Sequence, residues 1–129
     1  MQKEIIIVSI ILAIMIIFLT LLQGYTNRAI ETMNNKLERL YGIAKDNSDD
    51  REKVNEMSDE IDSEWKDING KMSFFLEHTE LEKISTSIVA MEEYFELGNN
   101  EDALVEIAKC KYILKHLQEK STFSFSNLF

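Results

Sequence analysis

The side chains able to do acid–base, nucleophilic or metal chemistry are few. They are His78, His116, Cys110 and the acids of a 129-residue chain with a formal net charge of −9. His78 stands beside Glu77 and near Glu80, and His116 precedes Glu119 by three positions. Carboxylate-bridged di-metal sites in helical bundles use Glu-x-x-His, which sets both ligands on one helical face. Here the residues three before the histidines are Phe75 and Ile113, so that pairing is missing. The chain also lacks the two-histidine zinc-protease pattern, a phosphate-cradling Gly-rich loop, the nucleophile elbow of serine hydrolases and an EF-hand loop. One cysteine can build neither a disulfide framework nor a thiolate zinc site within one chain. Lys109 and Lys111 flank Cys110 but point to other faces of a helix, so the thiol reads as a small buried hydrophobe. These residues predict a noncatalytic protein with no metal and no cofactor.

What could position any site is clearer. Ile5–Leu22 reads IIIVSIILAIMIIFLTLL, without a charge. Eighteen helical residues rise about 27 Å, close to the roughly 30 Å hydrocarbon core of a bilayer. Tyr25 follows where an amphipathic ring suits the headgroup layer. A cleaved secretory signal would have a shorter apolar core and a small-x-small site, and Thr20-Leu21-Leu22-Gln23-Gly24 is a poor one. Residues 1–23 are therefore expected to be a retained membrane anchor. Lys and Arg are balanced around the run, with Lys3 and the α-amino group before it and Arg28 and Lys36 after it. Four residues before a span resemble an uncleaved signal anchor, so the remainder is expected outside the cytoplasm.

Residues 24–120 carry helical periodicity almost throughout. Apolar stripes fall at Ile30, Met33, Leu37, Leu40 and Ala44; at Val54, Met57, Ile61, Trp65, Ile68, Met72 and Phe75; at Leu81, Ile84, Ile88, Met91 and Phe95; and at Ala103, Ile107, Cys110, Leu114 and Leu117. Asp49 with Glu52, and Thr79 with Glu82, have the spacing of capping boxes. Gly98 suits a left-handed helix end, Asn99 or Asn100 suits the next start, and Gly70 is a place for a bend or an early stop. The chain has no proline and only four glycines. The expected fold is all-α: an N-terminal transmembrane helix, its continuation directly out of the membrane, and an up-down antiparallel bundle of about four helices with short connections.

Residues 121–129, STFSFSNLF, form an aromatic tail. Phe123, Phe125, Leu128 and Phe129 are expected either to fold back over the end of the bundle or to dock on a partner. Trp65 lies on an inner stripe and reads first as a core anchor, with an interface anchor as the alternative. The acidic balance disfavours nucleic acid, which needs Lys and Arg to displace counterions, and anionic headgroups would repel the bundle. The expected partners are the lipid bilayer, through Ile5–Leu22, and a membrane protein or a second copy of the chain. The first reading of function is a membrane-anchored protein-interaction or structural module. The second is an extracytoplasmic ligand-sensing bundle that signals through a membrane partner.

The layout also resembles a known family. A short charged start and one span lead to Trp65 and then Phe74-Phe75-Leu76-Glu77-His78. A hairpin follows from Glu101-Asp102-Ala103-Leu104 to Leu114-Lys115-His116-Leu117, and the chain closes on Phe123-Ser124-Phe125-Ser126-Asn127-Leu128-Phe129. Together these resemble small single-span membrane proteins of clostridia and related spore-forming bacteria, a family known as a domain of unknown function. The resemblance covers nearly the full length, with the Asn-Leu-Phe ending its most specific part. It implies a small multi-span membrane protein as partner and brings no catalytic residues.

Overall fold

The structure, a computed structural model, describes residues 1–46 and 50–128, with side chains described as far as Ser121. Four helices make up its secondary structure: α1 Gln2–Lys45, α2 Arg51–Met72, α3 His78–Glu96 and α4 Asn100–Leu128. No strand occurs among the described residues. α1 is one continuous helix of 44 residues, about 66 Å long at 1.5 Å per residue. Its two parts meet different surroundings. Every buried residue of α1 lies between Thr26 and Ala44, and none lies in Ile5–Leu22.

From Thr26 onward the expected stripes become the core. Ile30, Met33, Leu37, Leu40 and Ala44 of α1 meet Val54, Ile61, Trp65, Ile68 and Met72 of α2. Leu81, Ile84, Ile88, Met91 and Phe95 of α3 and Ala103, Ile107, Cys110, Leu114 and Leu117 of α4 complete it. The helices form an up-down ring in which each packs on its sequence neighbours and α4 closes onto α1. Ion pairs span the helices from outside. Lys36 of α1 bridges Glu60, at 2.9 Å, and Glu64 of α2. Hydrogen bonds to Glu64 and then Glu60 raise the Lys36 ammonium above its ordinary pKa. Lys111 of α4 faces Glu38 of α1 at 3.9 Å, and Lys120 of α4 pairs with Glu77.

The helix ends differ from the capping pattern in instructive ways. Asp50, rather than Asp49, caps α2 by accepting from the Lys53 amide at 3.1 Å; Asp49 itself is outside the described residues. α3 begins at His78, after an extended Glu77 whose carboxylate is held by Lys120. Thr79 is thereby inside the first turn and cannot act as the cap. α2 runs unbroken through Gly70 and stops two residues later, with Ser73 Oγ donating to the Gly70 carbonyl at 3.1 Å. Phe75 consequently leaves the helical stripe and lies in the α2–α3 connection, and Met57 is half-buried while Ser58 takes the core position.

The α3–α4 turn is built as expected. Gly98 adopts φ 76°, a left-handed conformation in which a Cβ is strained. Its amide donates to the Phe95 carbonyl at 3.1 Å, and the Asn99 amide donates to the Tyr94 carbonyl at 2.8 Å, closing a Schellman motif. Asn99 then caps α4, its Oδ1 accepting from the Asp102 amide at 3.2 Å.

Several buried polar atoms are unpaired among the described residues, the Ser58 and Ser121 hydroxyls as well as that of Thr26. Thr26 is fully buried at the start of the core, and its hydroxyl finds no hydrogen-bond partner among the described residues. A buried unpaired hydroxyl costs about 1 kcal/mol or more. Thr26→Val keeps the β-branched shape and removes that group, so it is expected to stabilise the bundle by about 1 kcal/mol in thermal melts. A loss of stability would mean that the hydroxyl has a partner.

Candidate functional site

The residues with chemical potential do not converge. Cys110 is 1% exposed, and burial, with the nearby Glu106 charge, pushes its thiol up to about 12, so it stays protonated and inert. His78 is exposed at the start of α3, and His116 is exposed on α4, where its ring stacks on Tyr112 with centroids 6.5 Å apart and planes within 3°. Among the described residues, no group of three or more His, Cys, Asp or Glu side chains is arranged to hold a metal.

One acid departs strongly from its ordinary behaviour. Partial burial pushes the Glu92 carboxyl of α3 up from 4.5 to about 7; the negative charges of Asp62 and Asp59 on α2 add to it, as does Glu96, against an opposing effect of Lys66. An acid whose folded pKa exceeds its unfolded value holds its proton more tightly when folded. It therefore costs nothing below about pH 4.5, costs more as pH rises to about 7, and costs a constant amount above that. Glu92→Gln is expected to raise stability at pH 8 by roughly 1 kcal/mol, allowing for solvent screening, and to leave it unchanged at pH 4. Equal gains at both pH values in thermal melts would contradict this assignment.

Two apolar surfaces stand out among the described residues. The first is the apolar half of α1, whose Ile, Leu, Val, Met and Phe side chains from Ile5 to Leu21 are about half exposed or more, except Leu19, which is half-buried. Its two hydroxyls are satisfied within the helix, Ser9 donating to the Ile5 carbonyl and Thr20 to the Ile16 carbonyl, each at 2.8 Å. That internal pairing is what a hydrocarbon environment demands.

The second lies where the bundle meets that run. Phe18, Leu22 and Tyr25 of α1 and Lys71, Phe74 and Phe75 line an open apolar groove of about 510 Å³. Phe74 is 88% exposed at the tip of the α2–α3 connection. Lys71 Nζ stands 5.8 Å from the centroid of the Tyr25 ring and 3.2 Å from the Asp67 carboxylate. Sequence reasoning placed Tyr25 at a headgroup position but gave Phe75 to a core stripe and assigned no contact role to Phe74 or Lys71. The available signal was Ser73-Phe74-Phe75-Leu76, an uncharged stretch where α2 has to end.

The two expected contact elements separate. Trp65 is 2% exposed, and its indole Nε1 donates to Ser85 Oγ at 2.8 Å, so it lies in the core between α2 and α3. In the tail, α4 runs on to Leu128 without reversing, where a fold-back over the bundle was one expectation. No glycine or proline follows Asn99 to break it. The side chains of Phe123, Phe125 and Leu128, and all of Phe129, are outside the described residues.

Comparison with known proteins identifies a family for this chain. No curated protein and no solved structure matches the chain. A family model described as a domain of unknown function, DUF4363, matches residues 21–128, which span the whole bundle from the end of the apolar run through α4. The chain belongs to the DUF4363 family.

Proposed function

We propose that this protein is a single-span, membrane-anchored, noncatalytic helical module that acts through protein contacts. The observation that supports this reading most is the divided character of α1. One unbroken helix presents an uncharged, unburied, largely apolar half and then supplies about a quarter of a packed core, which supports a bundle mounted directly on an anchor. A helix uncovered over 18 residues needs an apolar solvent or partner, and its length fits a bilayer.

The partner is a membrane protein or a second copy of the chain, and the bundle stands outside the cytoplasm. Acidic helix faces, with a net charge of −9, keep nucleic acid and anionic surfaces away from the bundle. The test is a tagged full-length chain recovered from native membranes in mild detergent, together with protease treatment of intact cells. The expected result is co-recovery of a membrane protein or of untagged chain, and cleavage of the bundle from outside. Recovery of the tagged chain alone, as a monomer, would overturn the interaction role, and protection of the bundle would overturn its sidedness.

A further inference from the structure

We infer that the α2–α3 connection is a second membrane contact, in which Phe74 enters the bilayer interface and the groove beneath it takes an acyl chain of a phospholipid in the adjacent leaflet. The inference rests on the anchor reading above and extends it from one point of attachment to two.

The observations are positional. The groove is not a separate patch, because Phe18 and Leu22, two of its walls, belong to the apolar run itself. Its lining is thus continuous with the surface the anchor presents to lipid. Phe74 and Phe75 supply the opposite wall from the bundle, so the connection stands at the depth where the run ends. Rise along α1 gives the same depth: Leu22 and Tyr25 are three residues, about 4.5 Å, apart. Aromatic rings are favoured at this level, and a phenyl ring 88% exposed to water is not.

Charge fits one occupant. Between Lys71 and Glu77 the connection carries no charged residue, which permits shallow burial. Among the described residues, Lys71 is the one cation on the groove wall, set over the Tyr25 ring, where a lipid phosphate would sit above its acyl chain. Glu77, at the far end of the connection, is neutralised by Lys120 of α4 rather than facing headgroups alone. The acidic faces of the bundle still repel anionic lipid, so the contact is confined to this end, and a zwitterionic membrane suits it.

The buried Cys110 makes a direct test practical, since its protonated thiol leaves an introduced cysteine as the reactive one. Full-length Phe74→Cys, Ile14→Cys and Leu97→Cys are labelled with a polarity-sensitive fluorophore and reconstituted in phosphatidylcholine vesicles, with unsubstituted chain as the labelling blank. Ile14 lies in the middle of the apolar run, and Leu97 is 77% exposed at the opposite end of the bundle. Quenching by lipid nitroxides placed near the headgroup and deep in the acyl chain, whichever is stronger at each position, and by aqueous iodide is then compared. The expected result is several-fold stronger nitroxide quenching at positions 74 and 14 than at 97, with the reverse order for iodide. If position 14 is lipid-protected and position 74 behaves as 97 does, the second contact is wrong and the anchor stands. If position 74 is shielded from both quenchers, the groove holds protein, a second copy or another chain, and the lipid assignment is wrong. If position 97 is quenched by lipid as strongly as 74, the bundle lies flat and the end-on geometry is overturned. If position 14 itself is open to iodide, the anchor reading falls, and this inference with it.

Discussion

Trp65→Ala is expected to remove most of the stability of the bundle. The indole is 2% exposed, packs in the cluster that joins all four helices, and donates a 2.8 Å hydrogen bond to Ser85 Oγ. Truncating a buried Trp to Ala forfeits its apolar burial and leaves a cavity, at about 3–5 kcal/mol. A domain of this size has about 5–15 kcal/mol in total, and each kcal/mol moves Tm by about 4–8 °C. The full chain in detergent should therefore melt at least about 12 °C lower when followed by helical circular dichroism. Part of the helical signal should persist, because the apolar half of α1 contributes no buried residue to the bundle core. Trp65→Phe should cost far less, since Ser85 Oγ keeps its own bond to the Leu81 carbonyl at 3.2 Å. A melt unchanged by Trp65→Ala would mean that the indole is a surface group.

Two lysines in the apolar run should abolish anchoring. Ile5–Leu22 contains eight Ile, four Leu, one Val and one Phe. At about −0.3 to −0.6 kcal/mol each on the insertion scale, these favour the membrane by roughly 4–8 kcal/mol. Ile11→Lys and Ile14→Lys sit near the centre of the run, where each charge costs about 2.5–3.5 kcal/mol. Together with the two lost isoleucines, the change is roughly 6–8 kcal/mol, enough to cancel the preference. The double variant is expected in the soluble fraction, with its bundle still folded because neither residue touches the core. Membrane retention of that variant would place the attachment elsewhere. A bundle that unfolds with the substitutions would show instead that the run is part of a protein core.

Much of this architecture was legible because side-chain period reports directly on burial. Leu37, Leu40, Ile84, Ile88, Ile107 and Leu114 recur at helical spacing, and each is fully or almost fully buried. Gly98 was legible for a similar reason, since a left-handed residue at a helix end strongly favours glycine. Helix starts were less so. Asp49 or Asp50, and Thr79 or Glu77, offer nearly equivalent local chemistry, and the Lys120–Glu77 pair that helps set the start of α3 joins residues 43 apart. Period also carries no depth. Nothing local to Ser73–Glu77 says that it stands beside Leu22 rather than at the far end of the bundle; the register in which the α1 and α2 stripes pack, spanned by Lys36 with Glu60 and Glu64, decides that. Glu92 escaped notice likewise, because its neighbours Asp59 and Asp62 come from another helix.

The central claim is that α1 remains in the membrane and carries the bundle intact. It is tested most directly by alkaline extraction of membranes from cells making the full chain, followed by mass determination of the product. The chain is expected in the extracted pellet at its full 15.0 kDa, with Ile5–Leu22 still attached. A carbonate-soluble product, or one cut near Gln23, would contradict it.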